Sequence, residues 1–408
     1  MTPLSQVELL APAGDMEKLK TALYFGADAV YLGGKQFSLR TFAENFTEDE
    51  LCSGVNLAHS KGKKVYVTAN VFARNTDFGR LETYFQTLSD IGVDGVIVSD
   101  PGVVYLAKKT APALQIHLST QANTTNKYAV RFWAEQGVSR VILARELSIK
   151  EIAEIYEFNP STELEAFVHG AMCISYSGRC LLSDYLDGRS SNRGACVQAC
   201  RWRYEVRAHD AVGQKSDWLA VEEDGRGAYI FNSKDLNMIG HLHDLHRAGI
   251  CSFKIEGRMK SPYYLATVIG AYRRLMDGAD VFTCEKELYN VAHRDYTTAY
   301  ATGENKQTVH YADSQSKGEY VYIASVLSSA DGYVTVEMRN RFRAGDVLEV
   351  LSPSEHHAKS FVATEIFSVE GELVQDAKLV QAIYKIACPY PLQSGDFIRR
   401  KFQKEMER

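Results

Sequence analysis

The chain has 408 residues, of which 45% are hydrophobic and 24% are charged, and its formal net charge is −5. This composition is typical of a globular protein of two or more domains and excludes a disordered or fibrous chain. The negative charge also excludes nucleic-acid binding by overall charge, so such a partner would need a local basic patch.

The sequence opens MTPLSQVELLAPAG, without the basic and apolar regions of a secretory signal. No apolar run reaches the roughly 18 residues that a membrane span requires. We therefore expect a cytoplasmic protein with no membrane partner, whose cysteines stay reduced.

Short β-branched runs alternate with amphipathic segments over the first two thirds of the chain. Several helical segments end in a glycine directly before the next strand, as in DIGVDGVIVSD, which is typical of βα repeats. The predicted strands are 7–11, 29–33, 64–70, 95–100, 115–121, 140–144, 164–169 and 252–257, and the predicted helices include 16–24, 47–61, 80–91, 126–136 and 149–157. The alternation favours an α/β fold with a (β/α)8 TIM-like barrel over an open doubly wound sheet, which produces the same local signals.

Side-chain alternation along the strands predicts a polar lumen for this barrel. The residues expected to face inward are His117, Ser119 and Gln121 in the fifth strand, Glu165, Phe167 and His169 in the seventh, and Lys254, Glu256 and Arg258 in the eighth. A lumen this polar is costly unless a polar or charged ligand occupies it. Active sites of such barrels lie at the C-terminal ends of the strands, where the sequence places Asn70, Asp100, Gln121, Arg145, His169 and Arg258.

Two parts of the chain do not follow the alternation of predicted strands and helices. Residues 201–230 are predicted to be a strand-rich insert in a catalytic domain that spans residues 1–300, and residues 301–317 a polar linker. After the linker, strands separated by Gly, Asp and Pro turns predict a small C-terminal all-β barrel domain over residues 318–408.

Four of the eight cysteines lie between residues 173 and 200, with the spacing C-x6-C-x15-C-x3-C. They are Cys173, Cys180, Cys196 and Cys200. Soft thiolates bind iron–sulfur clusters or zinc, and only the last pair has the close spacing of a zinc knuckle. The spacing favours a 4Fe-4S cluster, with zinc and unliganded core cysteines as the alternatives. Arginines surround the thiolates and are expected either to contact an anionic substrate or to form a solvated face: Arg179, Arg189, Arg193, Arg201 and Arg203.

The motifs FVHGAMCISYSGRCLLSDY, GACVQACRW and SFKIEGRMKSPYY resemble the signature of the collagenase-like peptidase U32 family. ELLAPAG, GADAVYLGG and HLSTQAN extend the resemblance over nearly the whole chain. Despite the family's name, the resemblance implies an iron–sulfur hydroxylase whose 4Fe-4S cluster is held by the four clustered cysteines. The RWRY sequence after the last of them resembles the tRNA branch, which forms 5-hydroxyuridine at the wobble uridine of the tRNA anticodon loop and uses prephenate.

Site roles follow from this resemblance together with the polar lumen. Arg145, Lys254 and Arg258 are the candidates for binding the prephenate carboxylates, because guanidinium forks suit that geometry. Glu256, His169 and His117 are the candidates for proton transfer, and Arg201 and Arg203 for contacts to RNA phosphates and bases. Alternatively, Lys254 and Glu256 form a buried structural pair. Basic residues of the last domain are expected to hold tRNA backbone: Arg339, Arg341, Arg343, Arg399, Arg400 and Lys401.

Two other interpretations of the sequence stay open at this point. One is a hydroxylase of the same family that acts on a ribosomal RNA cytidine or a quinone precursor. The other, from a different class, is a zinc-stabilised peptidase or RNA-binding protein with no redox role. A paralogous U32-family subunit is a further candidate partner.

Overall fold

The computed structural model describes residues 4–38, 44–202, 207–208, 219–220, 233–303 and 318–402. Its larger part is a closed barrel of eight parallel strands, because the last of these strands pairs with both the first and the seventh. The barrel strands are β1 (Glu8–Pro12), β2 (Ala29–Gly33), β3 (Lys64–Thr68), β4 (Gly95–Val98), β5 (Gln115–Leu118), β6 (Arg140–Ile142), β7 (Glu163–Ala171) and β11 (Ile250–Ile255). The predicted TIM-like barrel is confirmed.

Helices surround this barrel and begin at residues suited to capping. The described helices are α1 (Met16–Tyr24), α2 (Glu48–Ser60), α3 (Phe78–Ile91), α4 (Pro101–Thr110), α5 (Lys127–Glu135), α6 (Ile149–Phe158), α7 (Leu182–Asp187), α8 (Leu242–Arg247), α9 (Pro262–Met276) and α10 (Val281–Leu288). The side chain of Thr47 caps α2 and that of Ser148 caps α6, each in a capping box, while Asp100 caps α4 ahead of Pro101. The Asp100 side chain, predicted at the end of a barrel strand, therefore makes its hydrogen bonds to the first turn of α4.

The barrel lumen is packed in its lower part and holds both apolar and charged side chains. An apolar cluster fills its middle and comprises Leu10, Ala29, Tyr31, Tyr66, Ile97 and Ile142, with Phe167 beside it. Next to it lies an ion network in which Arg140 donates to Glu8 and Glu165, and Ser252 donates to the same two carboxylates. The charged side chains of the lumen are thus paired with one another at this level, and the cavity lies above them.

Two short strands extend the sheet beyond the barrel. β10 (Asp235–Asn237) runs antiparallel to the end of β7, and β12 (Tyr296–Thr297) pairs with β10. Most of the predicted insert over 201–230 lies outside the described residues, apart from the antiparallel pair β8 (Arg207–Ala208) and β9 (Leu219–Ala220). Of the predicted linker over 301–317, only residues 301–303 are described.

The C-terminal domain is an antiparallel half-barrel of seven strands. They are β13 (Tyr320–Ala330), β14 (Tyr333–Met338), β16 (Val347–Leu351), β17 (Ser360–Val362), β18 (Ile366–Phe367), β20 (Ile383–Ala387) and β21 (Phe397–Lys401), with β15 (Phe342–Arg343) and β19 (Asp376–Ala377) as a separate pair. Their order in the sheet is β17-β16-β21-β13-β14-β20-β18. The predicted all-β domain is confirmed, although within the described residues β17 and β18 remain edge strands and do not close it.

The half-barrel packs against the outside of the TIM-like barrel. Phe397 contacts Phe25 at 5.8 Å between ring centroids, and Tyr322 stacks on Tyr263 at 5.3 Å. Phe397 belongs to the same apolar core as the barrel helices. Because this contact buries aromatic rings from both sides, the two domains share one continuous core. Among the described helices, none is long and apolar enough to cross a membrane.

Candidate active site and metal centre

A cavity of about 250 Å³ opens at the C-terminal ends of the barrel strands. Its walls come from residues at the ends of β3, β5, β6, β7 and β11, and it is also lined by the segment that carries the clustered cysteines. The site therefore lies where barrels of this kind place their active sites.

The cysteine segment, residues 172–202, is anchored to the barrel by its arginines. Arg193 donates to the carbonyl oxygen of Phe72 at 2.7 Å and to the carboxylate of Asp77 at 3.0 Å. Arg179 donates to the carbonyl oxygen of Gln121 at 2.6 Å. These hydrogen bonds give Arg179 and Arg193 a structural role, so the two arginines do not form a free anion-binding surface.

All four predicted cysteine ligands line the cavity, and none forms a disulfide. Cys173 and Cys180 hydrogen-bond to one another, and this contact is the largest cause that lowers the pKa of Cys180 to about 5. The backbone N–H of Leu182 donates to the Cys180 sulfur at 3.3 Å. Such N–H···S bonds favour the thiolate, which is the form that binds metal.

The four thiols line one cavity, and thiolates of this kind suit an iron–sulfur cluster or a zinc ion. Tetrahedral zinc, with Zn–S bonds of about 2.3 Å, draws four donors tightly around one point. Within the described residues, no group of three or more His, Cys, Asp or Glu side chains is gathered closely enough to hold a metal ion. In an iron–sulfur cluster each thiolate binds its own iron, so the sulfurs lie farther apart around a shared core. The four thiols would hold that core at the mouth of the cavity.

Lys254 lies in the cavity wall but is paired with a carboxylate below it. Its ammonium group donates to Glu165 at 2.7 Å and lies 4.4 Å from the ring centre of Tyr31. Glu256, the partner considered from the sequence, accepts instead from the Tyr31 hydroxyl at 3.1 Å. A structural pair across neighbouring strands does exist, but its acid is Glu165.

Two arginines extend into the same cavity from different sides. Arg145 donates to the carbonyl oxygen of Ala171 at 3.2 Å, and it forms no ion pair with a carboxylate among the described residues. Its Nε atom is buried without a hydrogen-bond partner. Arg258 donates to the Ser38 hydroxyl at 2.7 Å and to the amide oxygen of Asn45. The Arg145 guanidinium, which makes no ion pair among the described residues, keeps its positive charge available to an anionic ligand.

The described lining is strongly cationic. It contains five basic residues and a single carboxylate, that of Glu256. The basic residues are Arg145, Arg201, Lys254, Arg258 and Lys260. Lys260 was not singled out from the sequence, although its place in the loop that follows the eighth strand could have signalled it. Burial lowers the pKa of Lys260. Arg203, the other predicted contact to RNA, lies outside the described residues.

The inward orientation predicted for His169 is wrong. The register between β7 and β11 shifts by one residue, from Lys254 opposite Phe167 to Ile255 opposite His169. This β-bulge turns the next side chain to the other face of the sheet. His169 consequently packs outside the lumen against Tyr272, and burial lowers its pKa to about 3. It does not line the cavity.

His117 does face the lumen, but it lies in the packed layer below the cavity. Its ring is fully buried 4.5 Å from that of Tyr66, and neither ring nitrogen has a hydrogen-bond partner among the described residues. Burial lowers the pKa of His117 well below its usual value, and the charges of Arg140 and Lys254 lower it further. The neutral imidazole is thus separated from the space where a substrate would bind.

The expected basic face of the C-terminal domain is largely neutralised by carboxylates. Arg399 is 1% exposed and pairs with Glu287 and Glu349, so the prediction that it grips RNA is wrong. Each of the other arginines proposed for this role has an acidic partner: Arg339 pairs with Glu17, Arg341 and Arg343 with Asp376, and Arg400 with Asp346. This domain therefore offers little uncompensated positive charge.

Comparison with known proteins places the chain in a family. The profile of Peptidase family U32 matches residues 14–311, and that of the Peptidase family U32 C-terminal domain matches residues 318–399. The chain is 39% identical to the tRNA hydroxylation protein P1 of Bacillus subtilis, over 96% of this chain and 94% of that protein. It is 38% identical to the tRNA hydroxylation protein P of Escherichia coli, over 85% of this chain and 86% of that protein.

A third relative carries the name of another RNA hydroxylation. The chain is 35% identical to the 23S rRNA 5-hydroxycytidine C2501 synthase of Escherichia coli, over 67% of this chain and 39% of that protein. Both domains are thus accounted for by one group of proteins, and the chain belongs to peptidase family U32.

Proposed function

We propose that this protein is a tRNA uridine C5-hydroxylase that forms 5-hydroxyuridine at the wobble position, with a 4Fe-4S cluster and prephenate as its co-substrate. One observation carries the proposal: four cysteine thiols and an excess of basic side chains line the same cavity of a TIM-like barrel. The chain that builds this cavity is 39% identical to a protein named for tRNA hydroxylation over nearly its whole length.

Prephenate, the small co-substrate, is assigned to the basic side chains of the cavity lining. Prephenate carries two carboxylates, and Arg145, Lys254 and Arg258 present three cationic groups in the lining. Forked guanidinium groups bind carboxylates in a bidentate manner, and the partial exclusion of water strengthens each contact. Glu165 lies below the cavity lining, and its ion pair with Lys254 holds the ammonium group of that lysine in place.

Glu256 is the group assigned to proton transfer. Hydroxylation replaces the C5–H bond of uracil by C5–OH, a two-electron oxidation in which the electrons pass to an external acceptor and the ring hydrogen leaves as a proton. Glu256 is the only carboxylate among the described lining residues, and the hydroxyl of Tyr31 orients it. A bound iron–sulfur cluster would supply one-electron chemistry, and Cys173, Cys180, Cys196 and Cys200 would hold it.

The RNA substrate suits a narrow cavity of this kind. A wobble base lies in the single-stranded anticodon loop, so it can be splayed into a pocket without opening a duplex. With the half-barrel arginines paired, the cysteine segment and the barrel loops remain the candidate contacts to the loop.

Deletion and complementation test this function. We expect tRNA from a strain that lacks the gene to lose 5-hydroxyuridine and its derivatives, and the wild-type gene to restore them. Cys180→Ser is expected to restore none, because the cluster loses a ligand. Cys52→Ser is the matched control, since Cys52 is exposed and lies apart from the cluster segment. Nucleoside mass spectrometry of purified tRNA gives the answer.

Metal analysis of protein purified without air completes the test. We expect iron and sulfide in the wild type and in Cys52→Ser, with absorbance near roughly 400 nm that is typical of cysteine-bound clusters, and their loss in Cys180→Ser. A colourless zinc protein would contradict the proposal. Unchanged tRNA nucleosides together with a missing hydroxycytidine in ribosomal RNA would favour the second candidate, which the relative named for 23S rRNA supports over a smaller part of the chain.

A further inference from the structure

The cavity has two sides of different chemistry. In the barrel order, β3, β4 and β5 lie across the lumen from β11. The lining on the β11 side is charged, with Lys254, Arg258 and Lys260. The lining at the ends of β3 and β5 is neutral and polar, with Asn70, Ser119 and Gln121 side by side. These three residues are called the amide wall here.

The amide wall is held together around one hydroxyl group. The amide nitrogen of Asn70 donates to the Ser119 oxygen at 3.5 Å, and the backbone N–H of Gln121 donates to the same oxygen at 3.4 Å. Because both contacts meet at Ser119, the Asn70 side chain and the backbone at Gln121 are positioned relative to each other before any ligand binds.

Both amides of the wall retain an unused hydrogen-bonding oxygen. The side-chain oxygens of Asn70 and Gln121 are buried, and neither has a hydrogen-bond partner among the described residues. Gln121 as a whole is only 8% exposed. Buried polar atoms in native proteins are nearly always paired, since leaving one unpaired costs about 1–3 kcal/mol. The unpaired oxygen of Gln121 in the wall of a cavity indicates that a ligand supplies a donor there.

The chemistry of the amide wall selects a neutral heterocycle over an anion. An amide oxygen repels a carboxylate, whereas a primary amide matches a ring edge on which an N–H lies beside a carbonyl. The Watson–Crick edge of uracil is such an edge, with N3–H between O2 and O4. Paired amide contacts of this kind are how Asn and Gln recognise bases elsewhere.

We propose that the amide wall binds the Watson–Crick edge of the target uracil, with the side-chain oxygen of Gln121 accepting from N3–H and its amide nitrogen donating to an adjacent carbonyl, while the second N–H of the Asn70 amide donates to the remaining carbonyl. The inference rests on the proposed function and names the base-recognition side of that site. In the pyrimidine ring C6 lies opposite N3, and C5 is next to C6. Binding by the N3 edge therefore turns C5 across the cavity toward the charged side, where the co-substrate is assigned.

Gln121→Glu tests this recognition with almost no change in shape. A carboxylate cannot donate to a ring carbonyl, so we expect kcat/KM for an anticodon stem–loop with a wobble uridine to fall by roughly tenfold or more. Gln136→Glu is the matched control, because Gln136 is exposed at the end of α5, and it is expected to keep wild-type activity. Iron content and thermal unfolding should be the same in all three proteins.

A substrate that lacks the N3–H donor distinguishes the loss of base recognition from a structural effect of the substitution. In 3-deazauridine the N3–H is replaced by C–H, so the wild type should lose roughly tenfold or more in kcat/KM relative to uridine. Gln121→Leu should show a much smaller ratio between the two substrates, because its side chain accepts no hydrogen bond from N3–H. Asn70→Asp serves as a second variant if Gln121→Glu does not fold.

The outcomes separate this inference from the function on which it rests. A wild type that hydroxylates the uridine stem–loop and accepts 3-deazauridine equally well overturns the assignment of the amide wall and leaves the proposed function intact. The assignment is also overturned if Gln121→Leu keeps the wild-type ratio of the two substrates. A wild type that hydroxylates neither the stem–loop nor intact tRNA overturns both the assignment and the proposed function.

Discussion

The interface between the domains and the barrel cavity bury polar groups in opposite ways. At the interface, Arg399 is almost fully buried, and it donates to Glu287 at 3.1 Å and to Glu349 at 2.6 Å. In the cavity, Arg145 has a buried Nε without a partner among the described residues, and the amide oxygen of Gln121 is equally unpaired there. A buried arginine is thus enclosed by carboxylates at the interface, whereas in the cavity Arg145 makes no ion pair among the described residues and lines the space that a ligand can fill.

Arg399→Met should give the largest loss of stability if this distinction is correct. Removing one member of a buried ion pair leaves the carboxylates of Glu287 and Glu349 without compensation, which typically costs about 3–5 kcal/mol. Urea unfolding monitored by tryptophan fluorescence and circular dichroism measures the change. A loss below about 1 kcal/mol, the range of exposed ion pairs, would show that the interface does not depend on this arginine.

Lowering the pH should weaken the same interface. Burial raises the pKa of Glu287, but hydrogen bonds from His357 and Arg399 outweigh it and lower that pKa from 4.5 to about 2. A carboxylate with a lowered folded-state pKa stabilises the protein above the unfolded value, and this stability is lost as the pH falls from 4.5 toward 2. The contribution is on the order of 3 kcal/mol.

Glu287→Gln isolates this effect from the other acids that titrate in the same range. Its free energy of unfolding should be lower than that of the wild type at neutral pH, and the difference should shrink as the pH falls below 4.5, the unshifted pKa of the carboxyl group. Unfolding by urea at several pH values provides both curves. A difference that stays constant with pH would mean that Glu287 does not titrate with the lowered pKa described above.

Arg145→Met tests the same distinction for the arginine that lines the cavity. Because Arg145 makes no ion pair among the described residues, its loss should change the free energy of unfolding by less than about 1 kcal/mol. The KM for prephenate should rise by roughly tenfold or more, since hydrogen bonds to charged groups contribute about 1.5–3 kcal/mol. Steady-state kinetics at saturating tRNA measures it, and an unchanged KM would remove Arg145 from the anion site.

Arg341→Ala should have the smallest effect. Its partner Asp376 lies at the surface, and exposed pairs contribute about 0–1 kcal/mol. The dissociation constant for tRNA and its salt dependence should also be unchanged, because this arginine is already neutralised. A weaker complex with a shallower salt slope would instead support the expectation from the sequence that this domain holds RNA backbone.

Much of the fold follows from local sequence pattern. The eight barrel strands, the helices at 16–24 and 149–158 and the strands of the half-barrel lie where the periodicity predicts them. Glycines such as Gly92, with φ 82°, end helices directly before strands, as the pattern indicates. These features depend on neighbours three or four residues away, so a single sequence contains them.

The candidate site was only partly predictable. The ends of the strands and the cysteine segment indicated the cavity, and all four cysteines line it. The orientation of His169 was missed because a one-residue bulge reverses the faces of β7, and alternation alone contains no sign of that shift. The acid that pairs with Lys254 was also missed, since Glu165 lies 89 residues earlier in the chain.

The sequence alone therefore determined the barrel, the half-barrel and the grouping of four thiols, because local periodicity and short spacings encode them. The tertiary structure decided which charges neutralise one another and which face a ligand. Arg399 and Arg145 look alike in the sequence, yet one is enclosed by carboxylates and the other lines a cavity. Only the packing of distant segments sets the partners of a buried charge, and with them its role.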